Sequence, residues 1–596
     1  MSEDLDHRPR SSRRLAIAAL VVLVVVVIAV IAASAGGGSS HSAATGPAPA
    51  AAVPSTTPLF AEAVVRPEGS LKTAAAAAGK TLAHQPDPYL RLLTALQTPG
   101  SGQLDFNSDL ASWLGPRAGI FLSAAGASGQ ANTSQLLSLI TQGLLGGSPT
   151  ASAFPFSAHG AQGAIVLDTT NTSKASSFLD SQAKLAGAHA SSYRGIALQS
   201  TAAGVAFALV DHYAVIGSEA GVHDVIDTTL GGSALAHATG YTKLLAHSPP
   251  GTLAHVYVAP APPASTSASA SATAGESQGL SGLLGLLAGS RESNISVVPS
   301  ATSITFDADA LNSGAAAASG GLIASGAEGA RAAGELPGEA WLAVGLGNVG
   351  PTLGSDVQGL RALVSLVTSF GAPGAVEGAA TLSLNGLLKG IFTPLSVLGA
   401  DSVEAKRDYQ SWMGSAGIFG SGTGLLNLKA GVSIDSTNPA LSRAAVPELA
   451  AALAKSGASV QHVSIPGAEA SLAVALPGFP VTLNIVDGKA ANGQTKFVIG
   501  LTEPSVESVL KPASTLAHSA PYTAASAALG EGVQPSLVVD FPTFLGLLEG
   551  VGLSEEPAIS KLVPYLRSLT TLAGGGKGLG EGIDRFGLVL GLQHAE

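Results

Sequence analysis

Four short patterns occur twice along this chain in the same order, and that recurrence restricts the fold to two copies of one unit. Ser112-Trp113-Leu114-Gly115 with Ala118-Gly119-Ile120-Phe121 returns as Ser411-Trp412-Met413-Gly414 with Ala416-Gly417-Ile418-Phe419. Leu167-Asp168-Thr169-Thr170-Asn171 returns as Ile434-Asp435-Ser436-Thr437-Asn438, and Val215-Ile216-Gly217 before Glu219 returns as Val498-Ile499-Gly500 before Glu503. Ser233-Ala234-Leu235-Ala236-His237 with Tyr241-Thr242 returns as Ser514-Thr515-Leu516-Ala517-His518 with Tyr522-Thr523.

Within the first copy, period-two apolar patterning marks strands at Ala63 to Val65, Gly119 to Ser123, Ala164 to Asp168, Gly195 to Gln199, Val205 to Val210, Tyr213 to Ile216 and His255 to Val258. Very short turns join three of these, which predicts an antiparallel meander. Helices are predicted over Ser173 to Leu185, capped by Asn171 or Thr172, and over Glu219 to Thr228. In the second copy Asn438 caps a helix with Pro439 at its first position, and Gly457 ends it. The expected fold class is α+β: a single N-terminal transmembrane helix followed by two repeated units, each a mainly antiparallel sheet with packed helices.

The membrane expectation rests on Leu15 to Ala33, roughly 19 residues without a charge, close to what a hydrocarbon core of ~30 Å requires. Arg8, Arg10, Arg13 and Arg14 precede it and the next basic residue is Arg66, so the positive-inside rule places the N-terminus in the cytoplasm and the rest outside. The competing reading is a cleaved signal peptide, for which Ala33-Ser34-Ala35 would be the cleavage site. Two stretches of Ala, Ser, Thr, Pro and Gly read as tethers, since they cannot bury enough apolar surface to offset ordering entropy. The expected organisation is residues 1–14 as cytoplasmic tail, 15–34 as transmembrane helix, 35–58 as disordered linker and 59–259 as first repeat. Residues 260–293 form a low-complexity linker, 294–334 strands and a connector, and 335–596 the second repeat.

Composition excludes several classes of chemistry. The chain has no Cys, which removes disulfides, thiolate nucleophiles, thiolate metal sites and an acylated lipoprotein Cys. Its formal charge is −11 and no basic stripe is interleaved with aromatics, so nucleic acid is not an expected partner. Aromatics are 5% of residues, so Ala, Val and Leu must build the cores through many small contacts.

The segment Ser112-Trp113-Leu114-Gly115-Pro116-Arg117-Ala118-Gly119, the strand Ala164 to Asp168, Tyr193-Arg194-Gly195, and Ala208 to Asp211 leading into Tyr213 to Glu219 together carry a family resemblance. The pattern is similar to a family of actinobacterial and related membrane-anchored proteins catalogued as domain of unknown function 3352. The resemblance implies one N-terminal membrane helix and a duplicated extracytoplasmic domain, with no assigned activity and no catalytic residues to carry over.

Motifs that imitate known chemistry are weak. Gly345-Leu346-Gly347-Asn348-Val349-Gly350 follows a predicted strand at Ala340 to Val344 and copies a dinucleotide fingerprint, but a chain this rich in glycine yields about one such match by chance. Gly79-Lys80-Thr81 lacks the first P-loop glycine, because Ala74 stands there. Ser181-Gln182-Ala183-Lys184 has the Ser-x-x-Lys spacing of penicillin-recognising enzymes, and Ser383-Leu384-Asn385 imitates a second element, but no Lys-Thr-Gly follows. Ser181 to Lys184 reads as a solvated helix face. No histidine pair has zinc-site spacing; the close pairs are His212 with His223 and His247 with His255. His237 and His518, each near a repeated Tyr, read as structural hydrogen bonds, Asp168 and Asp435 as turn and helix-start carboxylates, and Trp113 and Trp412 as core residues. The Leu-rich stretches Leu136 to Leu145, Leu280 to Leu287, Leu387 to Leu398 and Phe544 to Leu553 read as core, or alternatively as walls of an apolar groove.

The expected function is a membrane-anchored, non-catalytic binding or structural module of the cell envelope, with no catalytic, cofactor-binding or metal residues assigned and no cofactor. The expected partners are the membrane, through Leu15 to Ala33, and a lipid or an envelope protein. An envelope hydrolase with a dispersed active site is the alternative, marked by Ser, His and acidic side chains meeting in one cleft. A lipid-binding or chaperone-like protein, marked by an apolar groove without that cluster, is another.

Overall fold

Strictly apolar strands such as Val205–Val210 and Tyr213–Ser218 need cover on both faces, and the architecture supplies it with one layer of helices on each side of a sheet. The computed structural model describes residues 48–83, 106–123, 156, 161–259, 292–311, 322–354, 357, 393–424, 426–476, 481–552, 554, 560 and 563–593.

The first repeat runs β1 (Leu59–Val64), α1 (Gly69–Ala83), β2 (Leu114–Leu122), β3 (Gly163–Thr169), α2 (Thr172–Leu185), β4 (His189–Tyr193), β5 (Ile196–Ser200), β6 (Val205–Val210), β7 (Tyr213–Ser218), α3 (Glu219–Thr229), α4 (Thr239–Leu245), β8 (Ala254–Val258), β9 (Ser293–Pro299) and β10 (Ser303–Leu311). The second runs α5 (Leu322–Gly334), β11 (Ala340–Leu346), α6 (Val403–Asp408), β12 (Met413–Ser421), β13 (Lys429–Ser436), α7 (Pro439–Lys455), β14 (Ser459–His462), β15 (Ala468–Ala475), β16 (Thr482–Lys489) and β17 (Thr495–Gly500). It continues with α8 (Glu503–Leu510), α9 (Ala520–Leu529), β18 (Leu537–Asp540), α10 (Phe541–Gly550), α11 (Val563–Arg567), β19 (Leu569–Gly580) and β20 (Ile583–Leu592).

Strand pairing is the same in both repeats. The first follows β4-β5-β6-β7-β3-β2-β1-β8-β9-β10, all antiparallel. The second follows β14-β15-β16-β17-β13-β12-β11-β18-β19-β20. β10 then pairs with β20, antiparallel, from Ser303↔Gly591 to Leu311↔Ile583. Among the described residues the two halves therefore form one sheet of twenty strands with a pseudo-twofold axis at the β10–β20 seam.

This corrects the expected architecture. The two repeats do not build separate sheets, because β9 and β10 extend the first repeat past the low-complexity stretch and bring it edge to edge with the second. The expected transmembrane helix is not found either: among the described residues no helix is long and apolar enough to cross a membrane, and residues 15–34 lie outside them.

Each repeat packs its two faces alike. Trp113, Leu167 and Phe207 lie under α2 on one face, as Trp412, Ile434 and Phe497 lie under α7. Trp113 Nε1 donates to the Asp109 carbonyl at 2.6 Å and Trp412 Nε1 to the Asp408 carbonyl at 2.9 Å, so each indole is both core and anchor. On the other face α3 buries Val222, Val225 and Ile226, and α8 buries Val506, Val509 and Leu510. Asn171 caps α2 by accepting from the Lys174 N–H at 3.0 Å, and Asn438 caps α7 ahead of Pro439.

Candidate functional site

On the face covered by α3 and α4, one cross-strand row carries three ionisable side chains of the first repeat. Glu62 of β1 is opposite His255 of β8, His255 opposite Ser296 of β9, and Ser296 opposite Asp307 of β10. The row crosses the seam to Gly587 and Gly575 and, one residue beyond the Leu537↔Gly574 and Val344↔Leu537 pairs, reaches Ser536 and Gly345, whose backbones are hydrogen-bonded at 2.6 Å. The first repeat thus holds Glu, His, Ser and Asp where the second holds Gly, Ser, Gly and Gly.

Burial sets the electrostatics of the row. Desolvation pushes Glu62 up from its ordinary 4.5 to about 7, against the pull of Arg117, whose Nη1 lies 4.0 Å from Oε1, and of the Ala50 N–H that bonds the carboxyl. Asp168, on the next row, is pushed up to about 6 by burial, with His212 Nε2 at 3.8 Å and Arg117 opposing. His255 is driven down to about 4 by burial and then by Arg117. Burial raises Asp307 and Asp309 too, but Arg585 offsets this by a bidentate pair to Asp309 at 2.6 and 2.7 Å.

Glu62, His255 and Ser296 are the residue types of a nucleophilic triad, yet their bonds run elsewhere. His255 shares its Nε2 with the Tyr241 hydroxyl at 3.0 Å, while Ser296 Oγ donates to Ser248 Oγ at 3.0 Å and is fully buried. A relay requires the Ser–His bond, and the geometry does not form it. The hydrolase alternative expects Ser, His and acidic side chains to meet in one cleft, and among the described residues these three are not joined in that way.

A cleft lies instead in the second repeat, between α5, α9 and the loop that leads to β18. It measures about 930 Å³ and is walled by Ala327, Ala527, Val533 and the glycines Gly326, Gly530 and Gly576, with Tyr522, Glu531 and Gln534 among its polar groups. Gly326 breaks α5 with φ 46°, and Gly530 and Gly532 take φ 82° and 76°, backbone that only glycine adopts without strain.

The motifs weighed from sequence are placed as follows. Gly345 is inside β11, its N–H committed to the Ser536 carbonyl and its Cα packed against the backbone of α5, so no phosphate cradle forms. Gly79 to Thr81 lies at the C-terminal end of α1, with Lys80 in the last turn, and Ser181 and Lys184 are exposed on α2. His237 and His518 are exposed in 3-10 turns; His518 Nδ1 bonds Thr515 Oγ1 at 2.9 Å, while the tyrosine beside His237, Tyr241, bonds His255 instead. Asp435 is held by Arg331 and Lys496, each at 2.8 Å, rather than serving the helix start. Among the described residues no group of three or more His, Cys, Asp or Glu could hold a metal ion. Of the Leu-rich stretches, Leu395, Leu398, Leu545, Leu547 and Leu548 are buried, whereas Leu136 to Leu145 and Leu280 to Leu287 lie outside the described residues.

Nothing in Ala61-Glu62-Ala63 marks Glu62 in the sequence as a site residue. The available signal was an acidic residue at an inward position of a strand, which is rare unless paired. No curated protein and no solved structure matches the chain. Residues 15–289, the span that holds Glu62, Asp168 and His255, match the family model described as "Protein of unknown function (DUF3352)".

Proposed function

We propose that this protein is a non-catalytic binding module of the cell envelope, and that the cleft between α5 and α9 takes an extended polypeptide segment of an envelope partner. The observation that supports this reading is the lining of the cleft. Its volume of about 930 Å³ is in the range of ligand sites, generally ~300–1,000 Å³. Its walls are glycine and alanine, which let a backbone approach closely, with Tyr522, Glu531 and Gln534 as hydrogen-bonding groups. A lipid chain would want a continuous wall of large apolar side chains, and Val533 is the one large aliphatic residue in the lining. Export is supported by the charge-free run Leu15 to Ala33 behind four arginines.

Native mass spectrometry of the full chain, isolated from its own envelope and compared before and after organic extraction, tests the reading. A bound polypeptide lost in Ala527→Trp, which fills the cleft from the exposed side of α9, supports it. A ligand that organic solvent removes points to lipid, and a polypeptide retained by Ala527→Trp places the site elsewhere.

A further inference from the structure

The residues that cover the ionisable row in the first repeat differ in kind from those that cover the matching place in the second. In the second, Leu336 and Gly338 are tied to the Leu516–Ser514 backbone, and α5 leads into them as a helix packed on Gly345 and Gly417. Its ionisable neighbours are mutually paired: Arg331, Glu335, Asp435 and Lys496 form a closed set with contacts of 2.8 Å. In the first repeat Val53 and Ser55 make the same backbone ties, to Leu235 and Ser233. What leads into them is the 3-10 turn Pro49–Ala51, and its polar anchors are two side chains: Tyr213 donates its hydroxyl to the Ala48 carbonyl at 3.1 Å, and Glu62 accepts the Ala50 N–H.

We propose that the segment Ala48–Val53 is a releasable strap, hinged at Val53, that closes over the Glu62 carboxyl when Glu62 is protonated and lifts when Glu62 is charged.

The physical case is a solvation balance. Ala50, Ala52 and Val53 are buried in the core around Phe60 and Tyr241, and Pro49 packs against Gly119, the residue opposite Glu62, so the turn lies over this carboxyl. A carboxylate shut beneath it keeps the Ala50 N–H and Arg117, 4.0 Å away and 46% exposed, but burial outweighs both, and among the described residues Oε2 has no hydrogen-bond partner. The groups that face Glu62 from the packed elements are Arg117 on β2, Asp168 on β3, Tyr213 on β7, His255 on β8 and Tyr241 on α4. His255 is neutral around pH 7, since its own value is driven down to about 4, and Asp168 repels a charged Glu62. Lifting the strap hydrates Glu62 and returns it toward 4.5, so the closed form binds the proton more tightly and opening releases it. Closure is therefore strongest below the open-state value and weakens as pH rises through about 7.

Hydrogen–deuterium exchange of the full chain, read on peptides spanning residues 48–58 and corrected for intrinsic rates, tests the strap at about pH 5.5 and about pH 8. Strap protection in the wild type is expected to fall by at least about tenfold from the lower to the higher pH while β2 and β3 are unchanged. Glu62→Gln is expected to stay protected at both, and Tyr213→Phe to be less protected at both with its pH dependence intact. A wild-type strap equally protected at both values, or a Glu62→Gln strap that loosens as the wild type does, overturns the proposal.

Discussion

Glu62 and Gly345 hold the same place in the two repeats, each opposite a glycine of the neighbouring strand, Gly119 and Gly417. One position thus carries a buried carboxyl in the first half and no side chain in the second. Because burial raises the folded-state value of Glu62 to about 7, stability from the protonated form is fully present below about 4.5 and is lost as pH rises through 7. Glu62→Gln should therefore stabilise the protein at pH 8, by up to about 3 kcal/mol, and change little at pH 4. Urea titrations at the two pH values would show it, and a destabilised variant at pH 8 would refute the assignment.

The seam between the halves depends on Arg585. Its guanidinium is bidentate to Asp309, which is 0% exposed, and it also donates to the His247 carbonyl at 2.5 Å. Arg585→Met leaves Asp309 buried and uncompensated, so a loss of roughly 3–5 kcal/mol is expected. Adding Asp309→Asn should recover part of it. If the single variant unfolds at the wild-type urea midpoint, the pair contributes nothing to joining the repeats.

Trp113→Phe and Trp412→Phe should cost similar amounts, about 1–3 kcal/mol each, because each removes one indole bond to a carbonyl four residues upstream and part of a fully buried side chain. Thermal denaturation of the two variants tests the equivalence directly. A large loss in one with none in the other would mean that the repeats no longer share that anchor.

Replacing either cap asparagine by alanine should cost about 1 kcal/mol, since Asn171 and Asn438 each satisfy the first free N–H groups of a long helix. Equal shifts in urea midpoint for Asn171→Ala and Asn438→Ala would match the equivalence of α2 and α7.

Local pattern made much of each unit readable. Val205 to Val210 was bounded to the residue, α2 and α3 within one, and Asn438 with Pro439 marked the start of α7, because capping chemistry and strand periodicity are written in adjacent residues. The exposed strand β4, with neither face apolar, left no such signal at His189 to Tyr193. Nor could periodicity reveal the β10–β20 ladder, which pairs residues some 280 positions apart through backbone groups that every sequence has. Glu62 was hidden for the same reason: its burial comes from Arg117, Asp168 and the Pro49 turn, none of them near it in sequence.

The seam also bears on ancestry. Two antiparallel edge strands related by a twofold axis are what a homodimer uses when its subunits extend one sheet through identical edges. Cut between β10 and α5, either half of this chain would expose ten residues or so of unpaired backbone at its inner edge, and the strand best suited to cover it is that same strand on another copy. The present protein is in that sense a dimer written into one polypeptide. Joined in one polypeptide, the halves need not be identical as two copies of one chain must be, and they differ at this place, with Glu62 on one side of the axis and Gly345 on the other.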